Sequence, residues 1–274
     1  MVMVTKEDLI ILKKITLRSA NVVMAFSGWP DAKRVATYAA EYLRDSLKAE
    51  KIGEIDPKPY YDFTIERPQV TIKDGLMIEY SPPINEFYFR RDKKSSHDLL
   101  IFIGTEPHTN WVRYVNSIFK VMSSGKVNRI CIFGGLIDRI PHTVEPLISG
   151  VANTTKLVEE MKSSSIKPAD YSGPSSIHSL ILNECQKKGI PTMSIWGHAP
   201  EYVGDVDPRT AHQLLLKVKD LIGLNVDLDE LGIESNLFRK QLDSLMKKDQ
   251  TFSELIQSLE IEYKNARRTP DYLT

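Results

Sequence analysis

The chain of 274 residues lacks an excess of either charge. Lys and Arg together number 36 and balance 36 Asp and Glu, so the formal net charge is zero. Proteins that bind nucleic acid rely on clustered Lys and Arg, and the charge balance therefore argues against a nucleic-acid partner. One basic cluster, at residues 90–94, contains an acid and is interpreted as a solvated loop before a strand.

Cysteines and long apolar runs are also scarce. Cys131 lies in an apolar run typical of a strand and Cys185 in a helical pattern, so both are interpreted as buried residues of a reducing compartment. No segment approaches the roughly 20 apolar residues of a membrane span, and no N-terminal stretch has signal-peptide form. We therefore expect a cytoplasmic protein that has no membrane partner.

Signatures of several large enzyme classes are missing. The sequence contains no GxxxxGK[ST] phosphate loop, no GxGxxG loop and no Gly-x-Ser-x-Gly nucleophile elbow. The six histidines are scattered, and only His142 and Glu145 have helical spacing, so we predict no metal site and no cofactor. A Ser–His–Asp set can be assembled from Asp138, His142 and the serine pair 175–176, but such sets arise freely among many serines.

What the sequence does contain is a recurring order of apolar strand, tight turn and helix. Four short runs, at residues 21–26, 99–103, 129–133 and 192–196, have the continuous apolarity of strands buried on both faces. Helical spacing follows the first two runs, precedes the fourth, and returns after Asp207-Pro208. This alternation predicts an α/β protein with helices on both faces of one sheet.

Helix starts can be predicted at two of the strand ends. Asp31 is suited to cap the helix after the first strand, and Thr109 or Asn110 the helix after the second. In that second helix, apolar residues at helical spacing predict one buried face that contains Val112, Val115, Phe119 and Met122.

Two further segments have a different pattern. Residues 70–72 and 76–80 flank Asp74-Gly75, a hairpin signal, and predict an antiparallel excursion on one edge of the sheet. Residues 228–246, and those after a capping-box match at 251–254, predict two amphipathic helices in tandem. Such a helical hairpin must be covered by the core or by another subunit. We therefore divide the chain into an α/β core, residues 1–225, and a C-terminal helical hairpin and tail, residues 226–274.

The loops after the strands are candidates for a functional site. In an open α/β sheet the carboxyl ends of the strands line one crevice, which would bring Asp31, Glu106 and His142 within reach of one another. Helix N-termini there would suit an anion. We predict a ligand-binding cleft lined by Gly28, Trp29, Asp31, Gly104, Glu106, Gly134, Gly135, His142, Thr143, Gly173 and Trp196.

Each of these residues also has a structural explanation, which stays open at this point. Glycine at strand ends mostly serves tight turns. Glu106 is as well suited to bond the first turn of a helix as to act as an acid, and His142 is more often a structural donor than a base. Trp29 and Trp196 are interpreted as large apolar plugs.

At these same loops the sequence resembles the PAC2 family. The resemblance covers about residues 20–225, with a departure at His108, where the family pattern often has Asn. It is carried by segments that occur in chain order: GWPDA at 28–32, GTEP at 104–107, FGG at 133–135, IPHT at 140–143, YSGPSSI at 171–177, GIP at 189–191, SIW at 194–196 and PEY at 200–202.

The resemblance implies a fold, an assembly habit and a class of partner. It implies a three-layer α/β/α fold of phosphorylase/hydrolase-like type with a mixed sheet, and a homo-oligomer, often a trimer. It also implies kinship with chaperones that assemble the proteasome α-ring through protein contacts. Some archaeal relatives dock into proteasome pockets with a terminal hydrophobic-Tyr-any tripeptide, whereas here Tyr272 is third from the end and follows Asp271.

Two functions from different classes follow. In the first, the chain is a proteasome assembly chaperone-like protein that binds proteasome α-type subunits, has no catalytic residues and needs no cofactor. In the second, it is an enzyme of hydrolase or ligase type, or a small-ligand binder, that uses the strand-end cleft with Glu106 and His142 as acid and base.

Overall fold

Four parallel strands form the centre of a ten-stranded sheet in the computed structural model, which describes residues 3–4, 8–91 and 96–268. They are, in spatial order, β8 (Leu99–Thr105), β3 (Ala20–Ser27), β9 (Val127–Asp138) and β12 (Thr192–Pro200). These are the four apolar runs predicted from the sequence. All four reach further towards their carboxyl ends than predicted, and β12 continues four residues beyond Trp196.

Antiparallel strands extend the sheet on both sides of this centre. Beyond β8 the order is β7 (Asn85–Arg90), β4 (Glu50–Ile55), β2 (Leu9–Ile11) and β1 (Met3–Val4). Beyond β12, β10 (Ile148–Ala152) pairs antiparallel with β12 and parallel with β11 (Lys167–Pro168). The sheet is therefore mixed, as the resemblance implied.

Helices cover both faces of the sheet, and each face has its own apolar core. Alternate residues of β3 point to opposite sides: Val23 and Ala25 belong to one core, whereas Val22 and Met24 belong to the other. The first core is covered by α1 (Val35–Ser46), α3 (Thr155–Ser163) and α5 (Pro208–Ile222), and the second by α2 (Trp111–Met122) and α4 (Ile177–Lys187). This arrangement confirms the three-layer α/β/α fold.

Local capping signals were correct at two of four helices, α1 and α5, and wrong at α2 and at the last helix. Asp31 Oδ1 accepts the N–H groups of Ala36 and Thr37 in the first turn of α1, at 2.7 and 3.2 Å. Asp207 caps α5 through two backbone N–H groups, with a proline in the first turn. Asn110 precedes α2 but does not cap it, because its side-chain amide donates instead to the Pro59 carbonyl at 2.7 Å.

The buried face of α2 also differs from the prediction at one position. Val115 and Met122 are buried, but Val112 is 65% exposed. The buried face is centred between Tyr114 and Ile118, and at about 100° per residue Val112 projects roughly 140° away from that centre.

The predicted hairpin exists but does not extend the main sheet. β5 (Gln69–Lys73) and β6 (Leu76–Ser81) pair antiparallel around Asp74-Gly75, whose positive φ angles of 50° and 79° suit a tight hairpin turn. They form a separate two-stranded sheet. The prediction that this hairpin lies on an edge of the main sheet was wrong. The strands before and after it, β4 and β7, pair with each other, and their other sides are taken by β2 and β8, so the hairpin has no free strand beside it.

Two long helices end the described chain, as predicted. α6 (Asp229–Lys248) packs against α5, and α7 (Gln250–Arg268) follows after one residue. The capping-box prediction was wrong: α7 starts earlier, and Asp249 Oδ1 accepts the N–H of Phe252 at 3.0 Å. The tail that contains Tyr272 lies outside the described residues. Across the described ranges, no helix is both long and apolar enough to cross a membrane.

Candidate functional site at the strand ends

Glu106, directly after β8, is held between two elements by backbone hydrogen bonds. Its Oε1 accepts the N–H of Ile177, the first residue of α4, at 2.8 Å, and its own N–H donates to the Ser27 carbonyl at 2.8 Å. A Cβ at Gly28 would lie 3.5 Å from the Glu106 Cβ, so the two strand ends are in contact. Burial raises the pKa of the Glu106 carboxyl, which would suit a general acid. Glu106 does bond a first helical turn, but that of α4 rather than of the following helix.

The Trp196 ring packs directly over Gly134 of β9. A Cβ at Gly134 would lie 2.5 Å from the indole ring, so only glycine allows this approach. The indole Nε1 donates to Ser194 Oγ at 2.8 Å, and the ring centroid lies 4.8 Å from that of His178. His178 is fully buried, and desolvation lowers its pKa to about 3, so the imidazole is neutral. Trp196 is therefore a packed plug, as the sequence suggested.

A Ser–His–Asp arrangement lies at the end of β12, where the sequence analysis did not place one. His198 Nδ1 is 2.7 Å from Asp138 Oδ2, and His198 Nε2 is 2.7 Å from Ser149 Oγ. The hydrogen bond from His198 lowers the pKa of Asp138. Ser149 is 5% exposed, whereas the Asp138 side chain is 40% exposed. The set assembled from the sequence shared Asp138 but used the wrong histidine and the wrong serine.

The length of β12 explains why His198 was missed. The apolar run that predicted this strand ends at Trp196, so His198 falls outside the predicted strand. The strand actually continues to Pro200, and Trp196 and His198, two residues apart, share one face of the sheet. The two-residue spacing of Trp196 and His198, which continues the strand alternation past the apolar run, could have placed His198 on the same face of the sheet.

Asp31, Gly135 and Gly104 serve close packing. Asp31 pairs with Gly135 in an isolated bridge, caps α1 and accepts the Thr37 hydroxyl, and burial raises its pKa to about 6. A Cβ at Gly135 would lie 2.6 Å from the Ala32 carbonyl oxygen. A Cβ at Gly104 would lie 2.6 Å from the Tyr114 hydroxyl, inside the second core.

His142 and Thr143 lie against the C-terminal helices. The His142 ring is fully buried, stacks on Phe252 with centroids 6.0 Å apart, and has its Nδ1 2.9 Å from the Tyr202 hydroxyl. Burial lowers the pKa of His142. Thr143 donates its hydroxyl to Glu260 Oε1 at 2.5 Å. These contacts support the structural interpretation of His142 over a role as a base.

The predicted meeting of Asp31, Glu106 and His142 is therefore not found. Asp31 turns towards α1 on one face of the sheet, and Glu106 turns towards α4 on the other. His142 instead contacts Phe252 of α7, and its Nε2 lies 3.4 Å from Asp243 Oδ1 of α6. Strand-end loops that leave a sheet for opposite faces do not bring their side chains together, and the acid and base candidates have separate surroundings.

The last two predicted cleft residues lie at the surface. Trp29 is 65% exposed, so its interpretation as an apolar plug was wrong. Gly173 lies under the ring of Tyr171, whose hydroxyl donates to the Pro174 carbonyl at 2.8 Å.

Within the ranges that the structure covers, no group of three or more His, Cys, Asp or Glu side chains could hold a metal ion.

A model of the PAC2 family matches residues 25–246. None of the curated proteins compared with the chain matches it. Among solved structures, a PAC2 family protein from Streptomyces avermitilis is 27% identical, with a TM-score of 0.76 over 86% of this chain and 99% of that one.

Two further solved structures are similar. The proteasome-assembly chaperone homologue of Mycobacterium tuberculosis is 27% identical, with a TM-score of 0.77 over 86% of this chain and 99% of that one. An archaeal proteasome activator from Pyrococcus furiosus is 21% identical, with a TM-score of 0.68 over 86% of this chain and 97% of that one, and shows the shared fold alone. The family match spans residues 25–246, which is well over half of this chain, and the chain therefore belongs to the PAC2 family.

Proposed function

We propose that this chain is a proteasome assembly chaperone-like protein that acts by binding proteasome α-type subunits and by forming a homo-oligomer. The observation that carries the proposal is the similarity to the proteasome-assembly chaperone homologue of M. tuberculosis, which extends along 99% of that homologue's chain. Family membership is consistent with it.

The geometry of the strand ends supports binding over catalysis. Glu106 bonds the first turn of α4, Asp31 bonds the first turn of α1, and His142 is buried against Phe252. Groups that an enzyme would direct at a substrate are here bonded to the protein itself. These three side chains therefore stabilise the fold. We place the binding function on other surfaces.

Exposed apolar side chains on the C-terminal helices are suited to such a role. Ile233 and Leu237, one helical turn apart on α6, are 61% and 55% exposed, and Ile261 on α7 is 59% exposed. Ile233 and Leu237 therefore form a small apolar patch on α6, and such patches are typical of sites that contact another protein. We propose that this part of the helical hairpin contributes to the partner surface.

A cytoplasmic location is consistent with the state of the cysteines. Cys131 and Cys185 are both free and buried, and burial raises the pKa of Cys131 to about 12 and that of Cys185 to about 11. Thiols of this kind are inert and typical of a reducing compartment.

A binding experiment with the purified partner tests the proposal. The full chain is titrated with a recombinant proteasome α-type subunit from the same organism, and sedimentation velocity detects a complex. We expect a complex with the wild type and weaker binding by Ile233→Lys, while Lys240→Glu, an exposed change on the same helix, serves as the matched control. No complex at any concentration up to the solubility limit would contradict the chaperone role.

A deletion separates docking by the tail from binding by the folded surface. Removal of residues 271–274 leaves the helices intact, so a variant that binds as tightly as the wild type would exclude tail docking as the main contact. If binding is lost only in this variant, the tail is the contact and the role proposed for α6 is wrong.

Hydrolysis is a second candidate function, favoured by the Ser149–His198–Asp138 arrangement. In such a triad the carboxylate orients the imidazole, and the imidazole removes the proton of the serine hydroxyl as Oγ attacks an acyl carbon. Here the serine is more buried than the aspartate, the reverse of what a nucleophile that meets substrate needs. For that reason we rank hydrolysis below binding.

Labelling with a fluorophosphonate probe tests the second candidate. We compare the wild type with Ser149→Ala, and use Ser194→Ala as the matched control because Ser194 is also buried and also bonds a histidine. Labelling that disappears only in Ser149→Ala would support a hydrolase. An unlabelled wild type would show that the three side chains form a structural polar network.

A further inference from the structure

The β5–β6 hairpin has one apolar face, and its polar face, which carries Thr71, Lys73 and Glu79, contains a single exposed apolar residue, Leu76. Residues directly opposite each other on paired strands share a face, and Val70 is opposite Tyr80 while Ile72 is opposite Met77. The alternate pair, Thr71 and Glu79, therefore lies on the other face. Between the two registers a β-bulge leaves Ile78 without a partner across the strand pair.

The apolar face is exposed to solvent. Val70, Ile72, Met77 and Tyr80 are 51%, 64%, 67% and 56% exposed, and the bulged Ile78 is 61% exposed. None of these five side chains is charged. Single exposed apolar residues are ordinary on a protein surface, but a contiguous apolar group marks a contact site.

The hairpin also lacks the support that a small sheet needs. β5 and β6 pair with each other and, within the described ranges, with no further strand. A two-stranded hairpin on its own is marginally stable in water, and it becomes stable when a third layer covers its apolar face. Its two outer edges also present unpaired backbone groups, which favour contact with another chain.

We propose that a second copy of this chain covers the apolar face of the hairpin, so that two hairpins pack face to face in an isologous contact. The inference rests on the homo-oligomer proposed above and names the surface that forms it. A contact of this symmetry places the same residues on both sides, so each apolar face meets an identical apolar face, and it joins copies in pairs rather than in the threes that the resemblance implied.

The size of the patch fits a second copy. Five apolar side chains that are half to two-thirds exposed present on the order of 500 Å², so two copies would bury on the order of 1,000 Å², which reaches the lower range of specific interfaces. The whole chain has a formal net charge of zero, and two copies therefore approach each other without long-range repulsion.

Two lysine substitutions on adjacent residues test the inference. Ile72→Lys places a charge on the apolar face, whereas Thr71→Lys places the same charge on the polar face, directly opposite Glu79. The full-length wild type and both variants are compared by sedimentation velocity over a concentration series. We expect self-association in the wild type and in Thr71→Lys, and a loss of about tenfold or more in affinity in Ile72→Lys.

A crosslinking measurement detects the contact directly. Cys131 and Cys185 are buried, so a cysteine placed on the hairpin is the accessible thiol of the described chain. A short bis-maleimide crosslinker, which joins thiols that are near each other but not in contact, should couple two copies of Ile72→Cys far more than two copies of Thr71→Cys. At a protein concentration low enough to keep the wild type monomeric, both lysine variants should keep the wild-type thermal midpoint because the hairpin is separate from the main sheet.

The outcomes distinguish this surface from the proposed function. A wild type that self-associates, with an Ile72→Lys variant of unchanged mass, would overturn the hairpin contact and leave the proposed homo-oligomer standing. A monomeric wild type would overturn both. If the monomeric wild type binds a proteasome α-type subunit and Ile72→Lys does not, the apolar face belongs to that partner and the inference is wrong.

Discussion

Asp31 combines a favourable local role with an unfavourable environment. Its carboxylate accepts hydrogen bonds from two backbone N–H groups and from the Thr37 hydroxyl, and these bonds favour the ionised form. The residue is only 8% exposed, however, and the effect of burial is larger than that of the hydrogen bonds, so the pKa of Asp31 is raised to about 6. The capping role follows from a short sequence separation and was predictable. The pKa shift depends on what surrounds the side chain in space and was not.

The shifted pKa makes stability depend on pH. The folded-state pKa of Asp31, about 6, lies above its ordinary value of 3.8, so the folded state binds the proton more tightly than the unfolded state. This stabilisation is complete below pH 3.8 and is lost as the pH rises through 6. A shift of about 2 units corresponds to on the order of 3 kcal/mol in the free energy of unfolding.

Asp31→Asn isolates this effect because the amide cannot ionise but keeps an acceptor oxygen. Between pH 4 and pH 7 the free energy of unfolding should fall for the wild type relative to the Asn variant, measured by denaturant titration at each pH. Parallel pH profiles for the two proteins would show that Asp31 does not titrate in this range.

Gly134 is required by the position of Trp196. Gly134→Ala would place its Cβ 2.5 Å from the indole ring, and relief of this overlap should cost about 1–3 kcal/mol of stability. Gly204→Ala is the control because a Cβ there meets nothing within 4 Å. The measurement is thermal unfolding with near-UV circular dichroism, and an unchanged midpoint for Gly134→Ala would contradict the close contact.

At the scale of elements, boundaries were the least predictable feature. The sequence offers Thr251 as the cap of α7, and it is followed three residues later by an acid, but the structure uses Asp249. Both residues are suited to the role, and propensity does not choose between them. Because α6 continues to Lys248 and α7 begins at Gln250, Asp249 is the one residue between them, and it caps α7.

Alanine substitutions distinguish the two caps. Asp249→Ala should destabilise α7 by about 1 kcal/mol because it removes the acceptor for the Phe252 N–H. Thr251→Ala should change stability by less than about 0.5 kcal/mol. Amide hydrogen exchange in the first turn of α7 provides the measurement, and the reverse order of effects would restore the capping box.

At the scale of the whole molecule, the start of the C-terminal segment shares the core of the α/β layers. Val226, Leu228 and Leu231 belong to the same apolar cluster as α1 and α5. Phe252 of α7 packs against Tyr202, with ring centroids 5.3 Å apart. We therefore propose that residues 1–225 and 226–268 unfold as one cooperative unit, although the change in sequence pattern near residue 226 suggested a boundary.

The three tryptophans provide a test because Trp29, Trp111 and Trp196 all precede residue 226. Leu231→Ala, at a residue 1% exposed, should lower the stability reported by tryptophan fluorescence by about 2–5 kcal/mol. Leu237→Ala, on the exposed side of the same helix, should change it by less than about 0.5 kcal/mol. A tryptophan transition that Leu231→Ala leaves unchanged would show that the hairpin unfolds separately.

The sequence by itself determined the layers of this protein. Continuous apolar runs and helical periodicities act between residues that are close in the chain, so the central strands, their helices and the β5–β6 turn could be predicted. The tertiary structure alone decided the strand order and the direction of each strand-end loop. It paired Asp138 with His198, 60 residues away, and Ser149 with the same imidazole. Such meetings depend on which strands become neighbours in the sheet, and no local pattern specifies that.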